Sequence, residues 1–130
     1  MGYCQSNGPS QNLIPNGNFN KGNTGFFSSY KFTASNTTEG EYYIGTAPSN
    51  WYHLHYPCGD HSTGYGSMLL VNGAPEPNQV VWETTVQVKE KTDYLFSLWI
   101  TSISRPNPGM MALMINGKQV GSLIKANSNT

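Results

Sequence analysis

Turn-forming residues punctuate this chain so densely that a helical fold has nowhere to form. Pro15, Asn16-Gly17, Gly22 and Gly25 fall within eleven positions, and Asn72-Gly73, Pro106, Pro108-Gly109 and Asn116-Gly117 divide the second half. Glycine and proline at this density break helices and mark turns between short strands. No window carries apolar residues at i, i+3, i+4 and i+7, the spacing that gives a helix its buried face. The stretches between turns alternate instead. Val80, Trp82, Thr84, Val86 and Val88 share one side of an extended chain, with Glu83, Thr85 and Gln87 on the other. Residues 94–103 place Tyr94, Phe96, Leu98 and Ile100 on one side and Leu95 and Trp99 on the other, which predicts a central strand covered on both faces.

Further strands are predicted at 26–33, 41–46 and 67–71, and a hairpin at 111–115 and 118–124 closes around Asn116-Gly117. A long loop spans 47–66. Some seven short strands with turns every 8–12 residues or so predict an all-β antiparallel β-sandwich. The 130 residues suit a single domain at 12–130 behind a polar tail at 1–11. Charged residues make up only 11%, against roughly 25% in an ordinary soluble domain. Seven basic residues balance seven acidic ones, which argues against nucleic acid as a partner. No apolar run reaches the roughly 18 residues of a membrane span. The Tyr-, Asn- and Gly-rich profile predicts a secreted or cell-surface protein. Residues 1–10 show neither the basic nor the apolar segment of a signal peptide, and Met1-Gly2 followed by Tyr3 is read as a chance match to a myristoylation pattern. Asn36-Thr37-Thr38 is a glycosylation sequon. Cys4 and Cys58 are either one disulfide joining the tail to the central loop or two unrelated thiols.

Several blocks, in order, resemble one group of domains: Asn12-Leu13-Ile14-Pro15-Asn16-Gly17-Asn18-Phe19, then Gly22-Asn23-Thr24-Gly25-Phe26, then Gly59-Asp60-His61-Ser62-Thr63-Gly64, and Gly66-Ser67-Met68-Leu69-Leu70-Val71-Asn72-Gly73. Val81-Trp82, Thr85-Val86-Gln87-Val88, Thr92-Asp93-Tyr94 and Phe96-Ser97-Leu98-Trp99 continue the likeness, and Asn116-Gly117 with Val120-Gly121 carries it to about residue 123. The chain is similar to the galactose-binding-like jelly-roll domains of exported bacterial cell-surface proteins. That resemblance implies a non-catalytic, carbohydrate-binding-module-like domain whose partner is a glycan or cell-surface polysaccharide. It also implies a structural calcium near the first strand, with Asn18 and Asn20 at the corresponding place. Relatives often carry an acidic residue where this chain has Asn20. Domains of this group continue past the place where Thr130 falls, so the sandwich is expected to be incomplete at its C-terminus. The missing strands would then come from a neighbouring domain or from another subunit. The second source makes the chain a structural subunit of a surface assembly or filament closed by strand complementation.

The densest chemistry lies in the long loop. Sugars need aromatic rings to stack on and polar groups to bond their hydroxyls; Trp51, Tyr52, Tyr56 and Tyr65, with Asn50 and Asp60, offer both. The alternative for Trp51 and Tyr52 is that they cap the core, and core packing is expected for Trp82 and Trp99. His53 and His55 share a side of an extended backbone and could hold zinc together with His61 or Asp60. The competing reading is a packed, hydrogen-bonded loop. Adjacent Asp60, His61 and Ser62 cannot form an oriented catalytic triad, and the seven acids fall mostly in turns or on solvated strand faces. The chain is expected not to be an enzyme.

Overall fold

The computed structural model describes residues 11–55, 57–103 and 106–127. Among these residues the protein is all-β, with five strands in two sheets and one four-residue helix. The first sheet has the order β1-β2-β3, formed by β1 (Lys31–Phe32), β2 (Glu41–Gly45) and β3 (Met68–Asn72). β2 and β3 pair antiparallel from Glu41↔Asn72 to Gly45↔Met68. β1 lies parallel to β2, with Lys31 opposite Glu41, which departs from the purely antiparallel expectation. The short connection is held in place by the end of β2. The buried Glu41 carboxylate accepts the backbone N–H of Thr37 and Thr38 at 2.8 and 3.1 Å and the Thr37 hydroxyl at 3.0 Å. Lys31 Nζ lies 3.7 Å away. Glu41 is thus a buried acid, not one of the solvated carboxylates the pattern suggested, and the hydrogen bonds explain why burial is tolerated. They outweigh burial and hold its pKa below the ordinary carboxylate value, with the Thr37 N–H contributing most.

β2 is flanked on both edges and is the best buried strand: Tyr42 and Ile44 are buried on one face, and Leu70, paired with Tyr43, is buried on the other. Aromatic rings extend the packing around Tyr42. Phe26 meets Tyr42 edge-on at 6.1 Å, Phe32 meets Tyr42 at 5.3 Å, and Phe19 meets Phe26 at 5.8 Å. The Tyr42 hydroxyl donates to Asn23 Oδ1 at 2.8 Å, which satisfies its polar end. The helix α1 (Pro48–Trp51) interrupts the expected loop. Pro48 at its start needs no N–H partner, and Pro48 and Trp51, three apart, bury the same helix face.

The second sheet is the hairpin of β4 (Met110–Ile115) and β5 (Lys118–Lys125). Asn116 and Gly117 both adopt positive φ, 49° and 76°, the combination that a tight hairpin turn of matching twist requires. The register slips between Met111 and Leu113, where β5 carries a bulge across Gly121.

Two predicted strands differ from the structure. Residues 80–87 keep the expected alternation: Val80, Trp82, Thr84 and Val86 are half-buried while Glu83, Thr85 and Gln87 are exposed, but Val88, expected on the covered side, is 61% exposed. Yet only the first part pairs, through Phe27↔Glu83 and a Ser29 N–H to Val80 O bond of 2.9 Å. Residues 94–103 are extended but belong to no ladder; among the described residues, 95–101 make no backbone hydrogen bond. Periodicity sets which side chains share a face, but a ladder needs a second strand alongside. The two sheets barely touch. The tail at 1–10 and the Cys4 half of the candidate disulfide lie outside the described residues; Cys58 is exposed.

Candidate functional site

The loop that precedes β3 is organised by one carboxylate. Asp60 Oδ2 accepts the N–H groups of Ser62 and Thr63 at 3.0 and 2.9 Å; Oδ1 accepts the Thr63 hydroxyl and the Gly66 N–H, both at 2.6 Å. These four bonds use about all the acceptor capacity of a carboxylate. They hold the Asp60 pKa down to about 2, the Thr63 hydroxyl contributing most and burial opposing. Gly59 packs against the Gly64 backbone so closely that no Cβ would fit between them. Asp60 was a ligand candidate; here its oxygens serve the loop. The loop is anchored at its end by Ser67 N–H donating to Asn20 Oδ1 at 3.0 Å.

This closed loop directs two rings outward. Tyr65 is 81% exposed. His61 stacks on Trp99 with ring centroids 3.6 Å apart and planes 15° from parallel. Trp99, expected in the core, is 72% exposed even with His61 stacked on one face of its ring. The site therefore includes a residue that the sequence reading left out. The signal was present: Leu95 and Trp99 form the minority side of that alternation.

Trp51 went the opposite way. It is 3% exposed and its indole N–H donates to Thr33 O at 3.0 Å, so its ring is a core element and offers no surface for stacking. Tyr52 is half-buried between two imidazoles, with ring centroids 5.3 Å from His53 and 4.9 Å from His55. Burial lowers the His55 pKa. Asn50 is exposed, and Tyr56 lies outside the described residues. Among the described residues, no group of three His, Cys, Asp or Glu side chains lies close enough to hold a metal ion; His61, needed for a three-histidine zinc site, is stacked on Trp99 instead. Asn18 Oδ1 accepts the Asn20 N–H at 3.2 Å, and Asn20 Oδ1 accepts from Ser67. Calcium takes about six to eight oxygens, and it would have to share these two with the backbone donors that already use them.

Among the described residues no helix is long and apolar enough to cross a membrane. No family model, curated protein or solved structure matches the chain.

Proposed function

We propose that the chain is a non-catalytic binding module for glycans, of the kind used in adhesion by secreted or cell-surface proteins. The exposed Trp99 ring, stacked on one face by His61 of the loop that Asp60 holds, is the observation that carries this reading. A pyranose ring presents an apolar patch of C–H groups on one face, which packs well against an aromatic face. An exposed indole is a large, rigid platform for that contact. His61 covers one face of Trp99 and fixes its orientation, leaving the other for ligand. A locked loop loses little freedom on binding, so more of the contact energy appears as affinity. The motif blocks similar to carbohydrate-binding jelly rolls point to the same ligand class. Tyr52 and Asn50 are the second group of candidate contacts, and a structural calcium held through Asn18 and Asn20 remains part of what that resemblance implies.

Affinity electrophoresis through gels containing plant, fungal and bacterial polysaccharides tests the reading. At least one polysaccharide should retard the protein, and Trp99→Ala should weaken that retention by about thirtyfold or more, as for a central aromatic contact. Trp51→Phe, which keeps a core aromatic, should leave retention unchanged.

A further inference from the structure

Asparagine followed by glycine is the least durable pair in a polypeptide, because glycine leaves the backbone nitrogen free of side-chain hindrance and able to attack the asparagine amide. Three such pairs fall among the described residues: Asn16-Gly17, Asn72-Gly73 and Asn116-Gly117. The fold holds their side chains differently. Asn16 Nδ2 donates to Gly22 O and Thr24 O, both at 2.8 Å, and its Oδ1 accepts the Lys21 N–H at 2.9 Å. Asn72 Nδ2 donates to Asn36 Oδ1 at 3.1 Å and to Thr38 O at 3.0 Å. The Asn116 side chain is exposed and makes no hydrogen bond among the described residues. Nor does the Gly117 N–H make a backbone hydrogen bond among them.

We propose that Asn116 is a site of spontaneous deamidation in the folded protein, while hydrogen bonds protect Asn16 and Asn72. Water is the co-reactant. The Gly117 nitrogen gives up its proton and bonds to Asn116 Cγ; the Cγ–Nδ2 bond breaks, ammonia leaves, and a five-membered succinimide closes. Water then opens the ring. Attack at Cγ gives aspartate, and attack at the backbone carbonyl gives isoaspartate, with the chain running through the side-chain carbon. Closing the ring requires Asn116 to leave its left-handed conformation at φ 49°. That conformation is itself unfavourable for a residue with a Cβ. Opening is also cheap at this place, because residues 114–120 are all exposed. Freeing the Asn72 amide breaks two side-chain hydrogen bonds and freeing Asn16 breaks three. At about fivefold per bond, these react about 30-fold and about 100-fold more slowly. The product adds a negative charge to a chain of zero net charge. Isoaspartate also lengthens the backbone of a two-residue turn that fixes the hairpin register, so β4 and β5 loosen with age. The proposal is independent of glycan binding.

The test is isoelectric focusing with fragment mass spectrometry of the wild type, held folded in mildly alkaline buffer at body temperature and sampled over weeks. A band more acidic by one charge should appear, with aspartate and isoaspartate at residue 116. Asn16 and Asn72 should keep their amides over the same interval, and should react as fast as Asn116 once urea unfolds the chain. Asn7-Gly8, outside the described residues, is told apart by its place in the fragments. Asn116→Gly keeps a turn pair that takes positive φ at both places and should lose the share of the acidic band that residue 116 contributes. Asn116→Asp marks where the product focuses. An Asn116 that keeps its amide, or an Asn16 or Asn72 that reacts as fast as Asn116 in the folded protein, overturns the proposal.

Discussion

Trp51 and Trp99 carry the same indole into opposite environments, and substitution separates them. Trp51→Ala removes a buried ring with its hydrogen bond to Thr33 and should lower stability by about 3–5 kcal/mol in urea denaturation. Trp99→Ala removes a ring that is mostly in water and should cost about 1 kcal/mol or less. Acid should act on two carboxylates first. Asp60 is held down to about 2 from an ordinary value near 3.8, and Glu41 is also lowered. A lowered pKa means that the folded state prefers the ionised form, so the stabilisation is complete above the ordinary value and is lost as the pH falls toward the folded one. The Asp60 loop should therefore open between about pH 4 and pH 2, with a change in tryptophan fluorescence as His61 leaves Trp99. Asp60→Asn should remove that transition. Residue types singled out the loop as a candidate, but not which rings face out. Trp51 lies in the core because a four-residue helix turns it there beside Pro48, and no period is readable in four residues. Trp99 lies outside, with His61 on one face and most of the ring in water, and a pattern of alternation does not tell which face of a segment is covered.

At the level of elements, the hairpin was the most legible feature, because Asn116-Gly117 specifies a turn by backbone conformation alone. Gly117→Ala puts a Cβ on a residue at φ 76° and should destabilise the protein by about 1–2 kcal/mol, read from the denaturation midpoint with an unchanged slope. The strand at β2 and the run at β3 were legible for the same local reason: short alternating or apolar stretches bounded by turn residues. The β1–β2 pair was not. Its parallel register depends on the Glu41 carboxylate gathering the N–H groups of Thr37 and Thr38 from the connecting segment, a contact between a strand and the segment leading into it that no periodic pattern encodes. Residues 80–88 show the same division. Their half-buried and exposed faces followed from alternation as far as Gln87, whereas the partner that would make them a strand did not.

On the scale of the whole molecule, two sheets that barely touch leave apolar surface in quantity, and the all-β class was readable from the sequence. Turn density and alternation set the class. Closure depends on how layers meet, which is a property of three-dimensional packing. Apolar surface of this size should bind a hydrophobic dye such as ANS, read as a rise in dye fluorescence on mixing with the folded protein. The central claim concerns the rings on the other face. The most direct measurement is a titration of the wild type and Trp99→Ala with the polysaccharide that retards the protein most, followed by calorimetry. The account predicts saturable binding to the wild type and a loss of about thirtyfold or more in affinity for Trp99→Ala, with the folded spectrum unchanged. Equal binding by both proteins, or no polysaccharide bound by either, would contradict it.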